Sequence, residues 1–280
     1  MPELPEVETV RRDVSLRYAG HTLVDIAVTG RRTVRRHPPT ELARLTGQRL
    51  VGVGRHGKYL LFEWEDGRVL VVHLRMSGQL LAAAAGDPRA LHTHGVLVFD
   101  GVGELRFVDP RTFGELFLAT PGSGTGPDAG LPALAELGHL GPDALVVDAA
   151  HLQAALARRR APLKVVLVDQ RALAGLGNIY ADEVCFEAGL RPDRAAGSLT
   201  PEEVGRLAGS VRTVLEAAIA GRGSSLRDLQ YRDLYGKPGR YQLDHKVYGR
   251  PGLGCPGCGQ PVQRVRMGAR SAFVCARCQR

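Results

Sequence analysis

The chain has 280 residues and 37 Lys and Arg against 29 Asp and Glu, a formal net charge of +8. That length allows a sizeable core and two domains. No apolar run approaches the roughly 20 residues of a membrane-spanning helix, so a soluble, intracellular protein without a secretory leader is expected.

The first residues, Met-Pro-Glu-Leu-Pro-Glu-Val-Glu, carry an unusual arrangement. Removal of Met1 before a small residue leaves Pro2 with a free secondary amine beside the carboxylate of Glu3. That pair can serve as nucleophile and proton donor; alternatively, it is only the proline-punctuated start of a helix. Pro5 suits a first helical turn, where its missing N–H is harmless. Glu6 and Glu8 complement the positive end of the helix dipole. Val7, Val10, Val14 and Tyr18 recur at helical spacing and predict one buried stripe ending at Gly20.

From about Thr22 to Thr120 the pattern changes to short β-rich runs: Leu23–Val28, Leu50–Val53, Tyr59–Trp64, Val69–Leu74, Gln79–Leu81, Val96–Phe99, Leu105–Val108 and Glu115–Leu118. Gly, Asp and Pro separate them, as in an antiparallel sandwich or barrel. Residues 121–132, rich in Gly and Pro, read as a flexible surface segment. Helical candidates follow at Ala149–Arg159, Leu163–Gln170, Asn178–Ala188 and Pro201–Ala220. The last has Thr200 as N-cap and Glu203 three residues on, a capping box. Cys185 sits in an apolar helical pattern and reads as inert core.

The chain closes with Cys255-Pro-Gly-Cys258, sixteen residues, and Cys275-Ala-Arg-Cys278. This is the spacing of a structural zinc site, in which four thiolates complete a tetrahedral shell and leave no open position. Two disulfides are the alternative, disfavoured in a reducing compartment. From Lys237 to Arg280 nine basic residues face one acid, Asp244, so this stretch carries +8 and the remainder sums to zero. Four thiolates and a zinc ion would bring it to +6. Such a basic module reads as a polyanion grip, with nucleic acid the first candidate. Arginine outnumbers lysine 33 to 4, so few side-chain amines (Lys58, Lys164, Lys237, Lys246) could compete as a Schiff-base nucleophile.

Five blocks now point one way: Met1-Pro-Glu-Leu-Pro-Glu-Val-Glu-Thr9, Gly57-Lys-Tyr-Leu-Leu61, His73-Leu-Arg-Met-Ser-Gly78, Asp109-Pro-Arg-Thr-Phe-Gly114 and Gly175-Leu-Gly-Asn-Ile-Tyr-Ala-Asp-Glu183. With the four cysteines, the chain closely resembles the formamidopyrimidine-DNA glycosylase family of bacterial base-excision repair enzymes, from first residue to last. The resemblance implies an α+β fold: an N-terminal antiparallel β-sandwich flanked by helices, a helix-two-turn-helix domain and a C-terminal zinc-finger β-hairpin. The corresponding boundaries are 1–120 for the catalytic domain, 121–147 for a linker, 148–236 for the helix-two-turn-helix domain with its lesion-recognition loop, and 237–280 for the zinc finger.

The resemblance further implies a bifunctional glycosylase and abasic-site lyase acting on oxidised purines in duplex DNA, with β,δ-elimination. Pro2 would be the nucleophile, Glu3 the proton manager and Lys58 a phosphate-gripping member of the catalytic group. Glu6 could line the same site. Met76, Arg111 and Phe113 would fill the gap left by an everted nucleotide; otherwise Met76 and Phe113 are ordinary core. His73, Lys164, Asn178 and Arg270 would complete the DNA grip, Lys164 near the lesion. Cys255, Cys258, Cys275 and Cys278 would hold one zinc ion. Glu183 either orients the site or is a surface acid. A monomer without membrane association, in the bacterial cytoplasm at the nucleoid, is implied.

Two positions depart from the family pattern. Arg75 stands where glycine is usual and could add a phosphate contact or crowd the groove. Thr112 replaces a frequent second arginine. The stretch Ser224 to His245 covers the loop that family members place over the everted base. Rival readings are an endonuclease VIII-like enzyme for oxidised pyrimidines and a catalytically silent DNA-binding protein; Leu4, Met76 and the 109–114 motif favour the purine branch.

Overall fold

A computed structural model describes residues 2–125, 132–226, 230–268 and 270–280. By its internal contacts the chain forms two units, 1–138 with 221–240 and 139–220 with 241–280.

The first unit begins with α1 (Leu4–Tyr18). Val7, Val10, Val14 and Tyr18 are buried in the core, as their spacing predicts. Ala19 leaves the helix, and Gly20 turns the chain in the left-handed region at φ +86, which glycine adopts without steric cost. Eight strands follow: β1 (Leu23–Val28), β2 (Leu50–His56), β3 (Tyr59–Trp64), β4 (Val69–His73), β5 (Gln79–Ala83), β6 (Thr93–Phe99), β7 (Gly103–Val108) and β8 (Glu115–Leu118). They make two antiparallel four-stranded sheets, ordered β1-β6-β7-β5 and β2-β3-β4-β8. Trp64 of one sheet stacks on Phe99 of the other, and both sheets feed one apolar core with α1. The buried Tyr18 hydroxyl donates to the Glu104 carbonyl at 2.7 Å, satisfying a polar group that burial would otherwise penalise.

Every expected strand is present. β2 continues past Val53 because Gly57 and Lys58 form a two-residue turn, letting His56 pair with Tyr59. The expected flexible segment at 121–132 is a correction: Pro121–Thr125 (β9) pairs with Pro132–Leu134 (β10), and residues 126–131 lie outside the described residues. Leu134 and Leu137 are buried, which gives this ribbon an apolar anchor that its Gly-rich composition conceals.

The second unit contains α2 (Ala149–Leu156), α3 (Leu163–Leu167), α4 (Asn178–Glu187) and α5 (Pro201–Ala220), then the hairpin β11 (Gln263–Met267) and β12 (Arg270–Val274). The α5 capping box is present: Thr200 Oγ1 accepts the Glu203 N–H, and Glu203 accepts the Thr200 N–H at 2.9 Å. α2 stops before Arg159, as Arg158 takes a left-handed conformation. α3 stops before Gln170, whose side chain instead binds the 168–176 turn. Residues 221–236, expected with the helical domain, group with the first unit, as do 121–138 of the expected linker. Tyr231 and Leu234 enter the first unit's core, which explains the return of that segment. Among the described residues no helix is long and apolar enough to cross a membrane.

Candidate active site and nucleic-acid interface

The N-terminus of α1 is held by reciprocal bonds. Glu3 is the N-cap, its side chain accepting the Glu6 N–H, while Glu6 Oε2 accepts the Glu3 N–H at 2.8 Å. Two helix-end donors are thereby satisfied. The other Glu6 oxygen accepts the Ser224 N–H at 2.7 Å. Pro2, Glu3 and Glu6 are all buried, so these residues sit in a low-dielectric setting on a fixed helix end. Glu8, one turn on, is surrounded by Arg11, Arg12 and Arg55. Burial opposes its ionisation, but these guanidinium groups hold its carboxyl below the usual range.

Two loops of the same unit present the expected gap-filling residues. Met76 is 40 % exposed and Phe113 39 % exposed, so neither is core. Arg111 is exposed and its guanidinium lies 4.9 Å from the Phe113 ring centre. The organiser of both loops is Asp109, fully buried and not singled out as a site residue from the sequence. Its Oδ1 accepts from Ser77 Oγ at 2.5 Å and from the Arg111 N–H at 3.2 Å, and its Oδ2 accepts the Gly114 N–H at 2.7 Å. One carboxylate thus ties the 73–78 loop to the 109–114 loop. Arg35, also missed, donates to the carbonyls of Phe113 and Gly114 at 2.8 and 3.0 Å. The local sequence does not mark the Asp109 link to Ser77 or the Arg35 contacts, because these join residues 32 or more positions apart.

Both departures from the family pattern sit in the left-handed region, with φ +53 at Arg75 and at Thr112. The Arg75 guanidinium faces Glu115 at 3.6 Å, which Arg36 also approaches at 2.9 Å. His73 is buried, and its Nδ1 accepts the Arg75 N–H at 2.9 Å. Burial, with the Arg75 and Lys58 cations nearby, holds this imidazole well below its usual pKa, so it is neutral at physiological pH. His73 Nδ1 therefore braces the loop as an uncharged acceptor. Lys58 lies buried in the β2–β3 turn.

In the second unit, Asn178 is exposed at the first position of α4, after Gly177 as N-cap. Helix N-termini favour phosphate groups. Gln170 fixes the approach to α4, its Oε1 accepting the Gly175 N–H and its Nε2 donating to the Leu176 carbonyl. Arg270 is exposed at the head of β12, beside a surface groove of about 350 Å³ lined by Arg264, Arg266, Gly268 and Ser271.

Lys164, expected near a lesion, is a buried cation of α3. Its Nζ lies 2.8 Å from Asp182 and donates to the Ser271 carbonyl at 2.7 Å. A buried ammonium needs such partners, so this side chain joins α3 to α4 and to β12. Burial lifts the Asp182 carboxyl to about 7, against the pull of Lys164. Glu183 is buried and is not a surface acid: it accepts the N–H groups of Lys246, Val247 and Tyr248 at 2.8–3.0 Å. Asp182 Oδ2 accepts the Phe273 N–H at 3.1 Å, so two adjacent acids of α4 hold the zinc hairpin and the 246–248 turn that precedes it.

Cys255, Cys258, Cys275 and Cys278 have their four Sγ atoms within 4.8 Å of one another. The Cys255–Cys278 and Cys258–Cys275 separations are 3.8 and 3.4 Å. A tetrahedral shell with metal–sulfur bonds of about 2.3 Å requires about 3.8 Å between sulfurs, so the set fits zinc. A closed four-thiolate shell supplies folding energy and no chemistry. Cys185 is buried in α4, its thiol pushed up by burial, and stands apart from this group.

Comparison with known proteins agrees with this geometry. Residues 1–116 match the formamidopyrimidine-DNA glycosylase N-terminal domain, 140–229 the H2TH domain of the same enzymes, and 252–280 a zinc finger found in FPG and IleRS. A formamidopyrimidine-DNA glycosylase of Moorella thermoacetica is 46 % identical over 95 % of both chains. One from Laribacter hongkongensis is 45 % identical over the full length of both. The crystal structure of the MutM (Fpg) protein of Thermus thermophilus superposes with a TM-score of 0.85 at 41 % identity, covering 99 % of this chain and 98 % of that one. A Lactococcus lactis Fpg bound to abasic-site DNA gives 0.85 at 32 % identity over 99 % of each. From its N-terminal helix to its last cysteine pair, this chain belongs to the formamidopyrimidine-DNA glycosylase family.

Proposed function

We propose that this protein excises oxidised purines, 8-oxoguanine and formamidopyrimidines, from duplex DNA and cleaves the strand at the resulting site. The observation that carries the reading is the exposure of Met76 and Phe113 on loops locked together by buried Asp109. A fold that spends a buried carboxylate on presenting two apolar side chains to solvent is equipped to insert them elsewhere. A base stack opened by nucleotide eversion is such a place. Phe113 wedges between base pairs, Met76 fills the void, and Arg111 hydrogen-bonds the orphaned partner base. Lys58, Asn178 and Arg270 hold phosphates; His73 steadies the loop that carries Met76; Lys164 holds the hairpin that carries Arg270.

The chemistry follows from a free Pro2 amine. An α-amine has a pKa of about 7.7–8.0 against about 10.4 for lysine, so roughly a quarter is free base near neutrality, against about a thousandth for lysine. Its lone pair attacks C1′, and the C1′–base bond breaks as the base leaves with a proton supplied through Glu3. The adduct sheds its N–H proton, and the C1′–O4′ bond breaks as O4′ takes up a proton through Glu3; because the amine was secondary, the ring-opened product is an iminium with no N–H left to lose. That cation withdraws electrons from C2′, a C2′ proton departs, and the C3′–O bond breaks to release the 3′ phosphate. A second elimination releases the 5′ phosphate. Covalent catalysis divides one difficult displacement into easier steps.

The test is cleavage of duplexes carrying one lesion each. The expected result is a nick at 8-oxoguanine opposite cytosine, with phosphate on both new ends, and much weaker action on oxidised pyrimidines. Preference for the pyrimidine duplexes, or binding without any cleavage by Met-processed protein, overturns the reading.

A further inference from the structure

The segment 221–240 leaves α5 and joins the first unit. Its start is a sharp turn in which Arg222 (φ +59) and Gly223 (φ +77) are both left-handed. Glycine adopts that conformation freely; an arginine does so against steric resistance. The Arg222 side chain shows what the turn achieves. It donates to both carboxylate oxygens of Asp13 on α1. Its Nε and Nη2 also reach Asp233 Oδ2 at 3.0 and 2.7 Å. Asp13 is buried, and its carboxylate accepts both of these bonds. Asp233 is buried too, and its second oxygen accepts the N–H groups of Tyr235 and Lys237. One guanidinium therefore joins the N-terminal helix, the start of the segment and its return.

The surroundings leave little slack. A Cβ on Gly223 would lie 2.8 Å from Glu6 Cγ, and one on Gly239 would lie 2.2 Å from the Gly223 carbonyl oxygen. Ser225 Oγ donates to the Tyr231 carbonyl at 2.8 Å and accepts the Gly239 N–H at 2.9 Å. On the far side, Gln79 Nε2 donates to the Gln230 carbonyl and the Ala82 N–H to the Leu234 carbonyl. Both feet of the short stretch between Ser225 and Gln230 are thus pinned. Glu6 connects one foot directly to Glu3.

We propose that Asp13, Arg222 and Asp233 form a clasp of positioning residues: they fix the segment's feet against the helix that carries Pro2 and Glu3, and so set how the damaged base is held during excision. The inference rests on the function proposed above and on the family resemblance, by which the stretch 224–245 covers the loop placed over the everted base. The clasp touches neither the sugar nor the nucleophile. Its loss must therefore weaken the step that needs a base to be held, and spare strand cleavage at a site that has already lost its base.

The experiment uses full-length, Met-processed protein and two duplexes, one with 8-oxoguanine and one with a preformed abasic site, under single-turnover conditions. Two variants break the clasp differently. Asp13→Asn preserves shape and removes the charge; Arg222→Gly removes the guanidinium and relaxes the left-handed turn, and the fold of each is checked by circular dichroism. Both are expected to slow 8-oxoguanine excision on the order of ten- to a hundredfold, the scale of a small misplacement. Abasic-site cleavage is expected to stay within about twofold of the parent on the same reasoning. The double variant is expected to be no slower than the worse single one, as groups acting as one unit are not additive. Equal losses on both duplexes, or none on either, overturn the clasp. A parent protein that cleaves neither duplex overturns the function and leaves that distinction visible.

Discussion

The N-terminal end of α1 and the zinc hairpin are both rigid, and for different physical reasons. Around α1, position is set by packing: Val7, Val10, Val14 and Tyr18 lock the helix onto two sheets whose shared core includes Trp64, Phe62 and Phe107. Each such side chain contributes about 1.5–3 kcal/mol on burial, so many must fail before Pro2 moves. The hairpin has only a small cluster, centred on Val247, Val262, Cys255 and Cys275. What fixes it is four cysteines, together with two α4 acids reaching across to its backbone. A site built on a core tolerates single losses; a site built on a metal does not.

Removal of zinc is the largest test of that contrast. Structural zinc is worth about 10–16 kcal/mol to a small thiolate module. Chelation is expected to abolish DNA binding while the β-sheet signal and the melting transition of the first unit persist, read by circular dichroism. Collapse of the sandwich on chelation would erase the distinction between the two regions.

Glu3→Gln tests the other side. The amide keeps an oxygen to accept the Glu6 N–H but cannot manage a proton, so excision is expected to fall by about 10²–10⁴ with little change in DNA affinity. Rapid-quench kinetics beside a binding titration separate the two; a loss of affinity alone would make Glu3 a structural cap.

Lys164→Met strands Asp182 in the interior. Breaking one partner of a buried pair costs about 3–5 kcal/mol, read as a lower denaturant midpoint for the second unit only. Asp182 adds a pH signature. Its folded carboxyl titrates at about 7, above the unfolded range, so the folded form holds a proton that the unfolded chain has released. From this group, stability falls as pH rises from about 4 to about 7. Asp182→Asn is expected to remove that slope; an unchanged slope would assign the pH dependence elsewhere.

Arg270→Ala is the smallest effect. Affinity should weaken with little sequence dependence, and the salt slope should drop by about one. An unchanged slope would remove Arg270 from the phosphate contacts.

Local signals made much of the molecule legible. Helical spacing located α1, alternation and breakers located eight strands, and the cysteine spacing located the metal set, because each depends on neighbours in sequence. The motif blocks located Met76, Arg111 and Phe113, and their exposure distinguishes them from core. What stayed hidden depends on distant pairing. Asp109 braces Ser77, and Arg222 reaches Asp13 across 209 positions. The inward turn of Lys164 needs Asp182, and the pairing of 121–125 with 132–134 is anchored by buried Leu134 and Leu137. A long cation looks the same in sequence whether it faces a phosphate or a buried acid.

The central claim is covalent attack by the Pro2 amine. Borohydride reduction of Met-processed protein with 8-oxoguanine duplex, followed by peptide mapping, tests it most directly. The account predicts one protein–DNA adduct, carried on the peptide that begins with Pro2. An adduct on a lysine peptide, or full strand cleavage by protein whose terminus is acylated or still bears Met1, would contradict it.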